Sequence, residues 1–121
     1  MGFRISPRFH PIRLGAYTRS EVELSIEIEN TGESSCWTEC DVFLPETLSL
    51  APDRDLLKGR LRIGIIGSSE ILTGKCKIYA GAKSYPEVYP IKITAYGFGK
   101  DGAIIQREEK KTELRCVQLG R

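Results

Sequence analysis

The segment Glu21–Glu29 alternates strictly between polar and apolar side chains and leads directly into the turn sequence Asn30-Thr31-Gly32. Neighbouring side chains of a β-strand point to opposite faces of the sheet, so this segment has one apolar face and one polar face. The apolar face consists of Val22, Leu24, Ile26 and Ile28. A strand of this kind is typical of an antiparallel sheet that covers a hydrophobic core on one side and contacts water on the other.

Further short segments with strand-like patterns follow, separated by turn residues at fairly even intervals. The predicted strands lie near 21–29, 37–44, 60–66, 71–80, 88–98 and 103–117. Between the last two, Asp101-Gly102 predicts a hairpin with a two-residue type I′ turn, which requires positive φ at both positions. The whole pattern predicts an all-β fold, an immunoglobulin-like β-sandwich of about seven to eight antiparallel strands.

The N-terminal residues show a weaker pattern. Pro7 and Pro11 interrupt them, so we expect an irregular arm that contributes at most a ragged edge strand. The apolar residues that would form this strand are Phe9, Ile12 and Leu14.

The domain organisation follows from the chain length. A chain of 121 residues suffices for one hydrophobic core but is short for two. We therefore expect an N-terminal arm at residues 1–14, one sandwich domain at 15–118 and a C-terminal tail at 119–121.

The order of turn and strand signals resembles that of a known group of sandwich domains. The signals are Ile28-Glu29-Asn30-Thr31-Gly32, Val42-Phe43-Leu44-Pro45, Leu72-Thr73-Gly74, and Tyr89-Pro90-Ile91-Lys92-Ile93-Thr94-Ala95 before Gly99-Lys100-Asp101-Gly102. Together they resemble immunoglobulin-like domains of the CARDB and NEW3 type, over roughly residues 15–118. Such domains usually serve as accessory or adhesive modules attached to surface proteins and enzymes, so the resemblance implies an accessory role.

Charged residues are plentiful and of mixed sign. Eighteen Lys and Arg against sixteen Asp and Glu give a formal net charge of +2. The basic residues are interleaved with acidic ones, whereas nucleic-acid-binding proteins usually present a clustered basic face, so we expect a protein partner and no nucleic acid. Asparagine occurs once and glutamine twice. Such depletion of amides with enrichment in charge is typical of hyperthermophile proteins, and we expect a thermophilic source.

The chain lacks the signals of membrane insertion and export. No segment reaches the roughly 18 to 20 consecutive apolar residues of a membrane-spanning helix. The N-terminal residues 1–7 lack the apolar stretch of a signal peptide. We expect no membrane span and favour a cytoplasmic location.

Three sequence features resemble catalytic or cofactor motifs without matching them. Gly97–Gly102 has the spacing of a dinucleotide-binding loop, but the following Ala103–Ile105 reads as a returning strand rather than the helix that such a loop requires. Gly67–Cys76 separates its glycines by six residues where a phosphate loop needs four. His10 is the only histidine and lies in the predicted arm, where it is poorly placed for a triad. We predict no enzymatic activity and no cofactor.

The four cysteines, Cys36, Cys40, Cys76 and Cys116, lack the Cys-x-x-Cys spacing of zinc sites, so no metal is expected. Cys36 and Cys40 would lie about 13 Å apart in one extended strand, too far for a disulfide between them. Buried reduced thiols are the favoured interpretation. The alternative is a disulfide that joins two of the four cysteines across strands, because intracellular proteins of hyperthermophiles do contain disulfides.

Trp37 has two possible environments. A sandwich commonly has a central aromatic residue in its core, and we favour this position for Trp37. Its alternation with Glu39 and Asp41 favours the outer face instead.

Tyr85-Pro86-Glu87-Val88-Tyr89-Pro90 is the most distinctive loop sequence. Its structural interpretation is a loop that crosses from one sheet to the other, with Tyr89 packed as a tyrosine corner. Its functional interpretation is a recognition loop, because tyrosine offers apolar area and a hydroxyl group at low entropic cost.

These observations favour a non-catalytic protein-interaction or assembly module that binds through an exposed strand edge or through the residues Tyr85, Pro86, Glu87 and Tyr89. The charged tract Arg107–Lys111 is interpreted as protection of the last strand against self-pairing. A carbohydrate- or cell-surface-associated accessory domain is the alternative that the family resemblance implies. A glycan-binding domain usually displays several coplanar aromatic side chains on one exposed face, whereas a protein-binding domain presents an open edge or a mixed patch.

Overall fold

The computed structural model describes residues 2–118, and the tail predicted at 119–121 lies outside them. The described residues form nine strands and no helix. This part of the chain therefore contains no helix long and apolar enough to cross a membrane. The strands are β1 (Phe3–His10), β2 (Arg13–Gly15), β3 (Ser20–Asn30), β4 (Cys36–Phe43), β5 (Leu48–Ser49), β6 (Lys58–Ile66), β7 (Ile71–Ala80), β8 (Glu87–Phe98) and β9 (Ile104–Val117).

The strands form two sheets that enclose one core. One sheet has four strands in the order β1-β3-β7-β5, and the other has five in the order β2-β9-β8-β4-β6. The predicted all-β sandwich is confirmed. The prediction of seven to eight strands, all antiparallel, differs from the nine observed, since β2 pairs with β9 in parallel. Strands of two or three residues such as β5 and β2 are too short to show an alternation in the sequence.

Burial of the inner face of β3 is central to the core. Its side chains Val22, Leu24, Ile26 and Ile28 are at most 1% exposed, as predicted. They belong to one hydrophobic cluster with inner residues of the five-stranded sheet, among them Val42, Ile91, Ile93 and Leu114. The alternating glutamates lie on the outer face, where Glu29 pairs with Arg4 at 2.9 Å and Glu21 with Lys77 at 3.0 Å. Such exposed ion pairs contribute little to stability, so apolar burial decides the orientation of β3.

Asn30 ends β3 and joins the two sheets at this end of the sandwich. It is fully buried, and its amide nitrogen donates hydrogen bonds to the carbonyl oxygens of Ser34 at 2.8 Å and Ile66 at 3.0 Å. Its side-chain oxygen accepts a hydrogen bond from the Gly32 amide at 2.9 Å, which closes the turn after the strand. The turn sequence after β3 therefore has a structural role that no apolar residue could fill.

The N-terminal arm is more regular than predicted. Residues Phe3 to His10 form β1 and pair with β3 along the whole strand, with Phe3 and Ile5 buried. Pro7 is accommodated because β1 is an edge strand, where a missing N–H need not disrupt a ladder between two strands. Ile12 lies outside the strands and is 73% exposed, whereas Leu14 is buried in β2.

The hairpin predicted between the last two strands is present, but the predicted turn type was wrong. Phe98 of β8 pairs with Ile104 of β9, and residues 99–103 form the connection. The Gly99 amide donates to the Ala103 carbonyl oxygen at 2.9 Å. Gly102 has a φ of 83°, but Asp101 is not among the non-glycine residues with positive φ, so the turn cannot be type I′. The pairing of β8 with β9 shifts register at a bulge between Gly97 and Phe98, next to this longer connection.

We expect Ile26→Ala to lower the free energy of unfolding by about 2 to 5 kcal/mol, because it removes burial and leaves a cavity in the core. Glu27→Ala, at the neighbouring outward position, should change this free energy by less than about 0.5 kcal/mol. Urea unfolding of both variants measures the difference. Similar losses in the two variants would contradict the observed orientation of β3.

Candidate functional site

The loop between β7 and β8 contains the predicted recognition residues and is held from below by Tyr89. The Tyr89 ring is only 3% exposed. Its hydroxyl donates a hydrogen bond to the Tyr85 carbonyl oxygen at 2.9 Å and accepts one from the Tyr85 amide at 3.3 Å. The two rings pack edge to face with their centroids 5.9 Å apart. A buried tyrosine that binds the backbone four residues upstream has the geometry of a tyrosine corner.

A second set of hydrogen bonds fixes the start of the same loop. Ser84 is fully buried, and its hydroxyl donates to the Gly81 carbonyl oxygen at 2.8 Å. The Ser84 carbonyl oxygen accepts the amide of Tyr17, in the turn between β2 and β3, at 2.7 Å. The loop is therefore bound to the sheet at both of its ends. Rigid support of this kind lowers the entropic cost when an exposed side chain of the loop binds a ligand.

The structure separates the four predicted site residues into two groups. Tyr85 is 45% exposed, and Pro86 and Glu87 are also exposed. Tyr89 lies beneath them and supports the loop, so only three of the four side chains present surface to a partner.

A groove that we call the end groove lies beside this loop. It encloses about 270 Å³ between the loop and the turn after β4. Its walls are Pro45, Glu46 and Thr47 on one side and Tyr85, Glu87, Val88, Tyr89 and Pro90 on the other. The hydroxyl of Thr47 is buried without a hydrogen-bond partner in the described part of the chain.

A second groove adjoins the first and contains lysine side chains; we call it the lysine groove. It encloses about 340 Å³ and shares Pro45 and Pro90 with the end groove. Its other walls are Phe43, Leu44, Ile91, Lys92 and Lys111. The ammonium group of Lys92 lies 4.5 Å from the centre of the Phe43 ring, and that of Lys58 lies 5.3 Å from the same centre. These are cation–π contacts.

The middle of the outer face of the five-stranded sheet is occupied by a buried ion pair. Asp41 is 2% exposed, although it points outward, because Arg60 covers it. The guanidinium of Arg60 donates to both carboxylate oxygens of Asp41, at 2.7 and 3.1 Å, and this raises the pKa of Arg60 above its usual value. Arg60 and Arg107 also lie over the ring of Tyr96, at 5.3 and 5.9 Å. These contacts occupy the middle of the face with internal interactions.

Trp37 lies on the outer face at the other end of this sheet, so the favoured core position was wrong. It is 39% exposed, and its indole N–H donates to a carboxylate oxygen of Glu39 at 2.7 Å. The inward side chains of β4 at this end of the sheet are Cys36, Thr38 and Cys40, and all three are buried. Inward and outward side chains therefore alternate along β4, with Trp37 on the outer face. Trp37 belongs to a row of outward apolar side chains on four neighbouring strands, which are Ile65, Trp37, Phe98 and Ile104.

Sequence reasoning missed this row and the lysine groove. The local signal is limited to two outward aromatic residues on each of β4 and β8, which are Trp37 and Phe43, and Tyr96 and Phe98. Neither the row nor the groove could be recognised without the strand register, because each contains residues from different strands.

The residues that resembled catalytic or metal-binding motifs have other surroundings in the structure of residues 2–118. No group of three or more His, Cys, Asp or Glu residues within this range could hold a metal ion. His10 lies exposed on β1, and Gly97–Gly102 forms the end of β8 and its hairpin rather than the start of a helix.

All four cysteines are free; Cys36, Cys40 and Cys116 are buried, as the favoured interpretation expects, whereas Cys76 is half-buried. Burial raises the pKa of the Cys40 thiol to about 12, and nearby Cys76 and Asp41 add to this effect. Burial also raises the pKa of Cys76 to about 11, with a smaller effect of Glu23. Raised pKa values keep these thiols protonated and unreactive at neutral pH, as is usual for cysteines that pack as small apolar residues.

Comparison with known proteins shows a similarity of fold alone. No protein-family model matches the chain, and no curated protein has a similar sequence. Similar solved structures include the sporulation control protein Spo0M from Bacillus subtilis, at a TM-score of 0.54 and 7% identity, with 99% of this chain and 51% of that chain covered. A β-glucuronidase from Bacteroides uniformis has a TM-score of 0.54 and 12% identity over 93% of this chain and 13% of that one.

The structures also include the CARDB domain of a Pyrococcus furiosus protein, described in complex with two metal ions. Its TM-score is 0.46 and its identity 11%, over 98% of this chain and 93% of that domain. The chain thus spans about half the length of Spo0M and a small part of the β-glucuronidase. At such low identities, Spo0M and the β-glucuronidase support a similarity of fold alone and carry no information on activity or partner.

We expect Tyr89→Phe to lower the free energy of unfolding by about 1 to 2 kcal/mol, because the backbone groups of Tyr85 lose their hydrogen-bond partner. Hydrogen exchange of the Tyr85 amide should become faster as well. Tyr79→Phe, on the outer face of β7, is the matched control and should have little effect on either measurement. Unchanged exchange in Tyr89→Phe would show that the hydroxyl does not fix the loop.

We expect Cys40 and Cys76 to react with a disulfide reagent at pH 8 at least about a hundredfold more slowly in the folded than in the urea-unfolded protein, where cysteine has a pKa near 8.5. Because folding raises both pKa values, the stability that they contribute should be complete below about pH 8.5. It should decrease as the pH rises towards 11 and 12. Mass spectrometry of labelled peptides identifies the cysteines. Rapid labelling of Cys40 in the folded protein would contradict its burial.

Proposed function

We propose that this chain is a non-catalytic protein-binding module that contacts its partner through the end groove and the exposed loop residues Tyr85, Pro86 and Glu87. The observation that carries the proposal is the position of Tyr85. Its ring is 45% exposed at the rim of the groove, while its backbone is fixed by the buried Tyr89 hydroxyl. An aromatic side chain on rigid support is the typical centre of a protein-binding surface.

The chemistry of the groove supports a protein segment as the ligand. Its walls combine two prolines and two tyrosines with the carboxylates of Glu46 and Glu87 and the unsatisfied hydroxyl of Thr47. Apolar walls with a few polar groups suit the mixed side chains and backbone of a peptide. Loops at the end of a sandwich also tolerate such specialisation, because the sheets hold their ends in place.

A carbohydrate-binding role has less support. The outer face of the five-stranded sheet does contain several aromatic residues, but they do not form a flat platform. The rings of Tyr96 and Phe98 are tilted by 35° to each other, and two arginines lie over Tyr96. The Trp37 indole N–H is already bound to Glu39.

The proposal is tested by partner capture from an extract of the source organism, with quantitative mass spectrometry. We expect Tyr85→Ala to reduce the recovery of the partner at least about tenfold, as for a central aromatic residue of an interface. The matched control is Tyr79→Ala, which removes a half-buried tyrosine from the outer face of β7. Each variant is first checked by urea unfolding. Equal recovery with Tyr85→Ala and wild type would contradict the proposal.

A further inference from the structure

Three lysine side chains at one corner of the five-stranded sheet carry charge that the described structure does not neutralise. Lys58, Lys92 and Lys111 lie on β6, β8 and β9, and the strand register places them in one row with Phe43 of β4. No carboxylate oxygen in residues 2–118 lies within 4.0 Å of their ammonium groups. Lys58 and Lys92 contact the same aromatic ring, so their charges lie within about one screening length of each other at moderate salt.

Two lysines on the other sheet do have carboxylate partners. On the outer face of the four-stranded sheet, Lys77 lies 3.0 Å from Glu21 and Lys75 lies 3.9 Å from Glu23. The cross-strand pairing of β3 and β7 thus matches lysine with glutamate. The row with Phe43 lacks such a match, although two lysines placed side by side repel each other. The contacts with the Phe43 ring offset part of this repulsion, and a bound ligand of opposite charge would remove the rest.

The lysine groove gives the row a defined ligand-binding shape. Two of the lysines, Lys92 and Lys111, line a groove whose remaining walls are apolar: Phe43, Leu44, Pro45, Pro90 and Ile91. The groove continues into the end groove through Pro45 and Pro90. A ligand that fills both grooves must therefore present negative charge at one end and apolar surface next to it.

We propose that the lysine groove binds an acidic, extended peptide segment of the partner protein, with its carboxylates against Lys92, Lys111 and Lys58 and an apolar side chain between Pro45 and Pro90. This inference rests on the proposed function, because it identifies the chemistry of the segment that also contacts Tyr85. A peptide satisfies both requirements, since acidic and apolar side chains alternate along one chain. The charge complementarity would also increase the rate of association.

A nucleic acid fits this surface less well than a peptide. The Phe43 ring is already contacted by two ammonium groups, which limits stacking of a base on it. A backbone of phosphates also needs a track of free basic groups, but in the next row Arg60 is already paired with Asp41, and Glu113 follows Lys111 on the same face of β9. The uncompensated charge is therefore confined to one row of lysines, which suits a short acidic segment.

Fluorescence anisotropy tests the proposal with a labelled short peptide in which glutamates flank one leucine. A second peptide has glutamine in place of every glutamate. The protein variants are Lys92→Gln/Lys111→Gln and, as the matched control, Lys75→Gln/Lys77→Gln, which removes the same charge from the other sheet. Lys111→Glu serves as a further single variant that leaves the Lys92 contact with Phe43 intact.

We expect wild type and the control variant to bind the glutamate peptide equally, within about twofold, and the glutamine peptide at least about tenfold more weakly. Both variants of the lysine groove should lose at least about tenfold in affinity. Equal weakening in the control would show that only net charge matters and would overturn the proposal. It would also be overturned by absence of binding, by tighter binding of oligothymidylate, or by displacement of the peptide with inorganic phosphate but not with chloride at equal ionic strength.

Partner capture with the same variants separates this inference from the proposed function. Recovery that depends on both Tyr85 and the lysines supports both. Recovery that depends on Tyr85 but not on Lys92 and Lys111 leaves the binding role in place and overturns the acidic segment. Peptide binding that survives Tyr85→Ala, with capture that is insensitive to Tyr85, supports the lysine groove and contradicts the role of the tyrosine loop.

Discussion

Burial of the inner face of β3 is the interaction on which the sandwich depends. β3 is hydrogen-bonded to β1 on one side and to β7 on the other, and its four apolar side chains face the opposite sheet. A shift of its register by one residue would move Glu23 and Glu27 into the core and expose Leu24 and Ile26. Burial of unpaired carboxylates would cost far more than any surface ion pair contributes, so only one register is stable. The orientation of the strands on both sides of β3 follows from this register.

The sequence predicted the elements whose pattern is long enough to be recognised alone. Strands β3, β4, β7, β8 and β9 each extend over at least eight residues, and their observed limits lie within a residue or two of the prediction. β1 was underestimated because Pro7 and Pro11 suggested an irregular arm with at most a ragged edge strand, whereas an edge strand accepts proline without loss of a ladder bond. Trp37 was misplaced because a general expectation for sandwich cores was preferred to the local alternation. The alternation was the better guide, since it depends directly on backbone geometry.

The candidate site was only partly predictable, because most of it combines residues from several strands. The tyrosine loop is contiguous in sequence, so Tyr85 and Tyr89 could be recognised as a pair, and only the burial of one ring distinguishes their roles. The two grooves and the lysine row contain residues from β4, β6, β8 and β9. Their assembly is a consequence of strand order and of the bulges in two of the pairings. Neither the strand order nor the bulges can be predicted from the periodicity of a single strand.

The two outer faces of the sandwich differ in how their charges are arranged, and the proposed acidic segment depends on this difference. On the four-stranded sheet, opposite charges face each other across the strands, which makes a polar surface with no net attraction for a ligand. On the five-stranded sheet, Arg60 neutralises Asp41 in the middle, while Lys58, Lys92 and Lys111 stay uncompensated at the end that meets the Tyr85 loop. A fold stabilised by its apolar interior does not need these lysines: their like charges repel each other, and the contacts of Lys58 and Lys92 with Phe43 offset part of that repulsion. Under the proposed binding of an acidic segment, the carboxylates of the ligand would supply the missing counter-charge beside the two grooves.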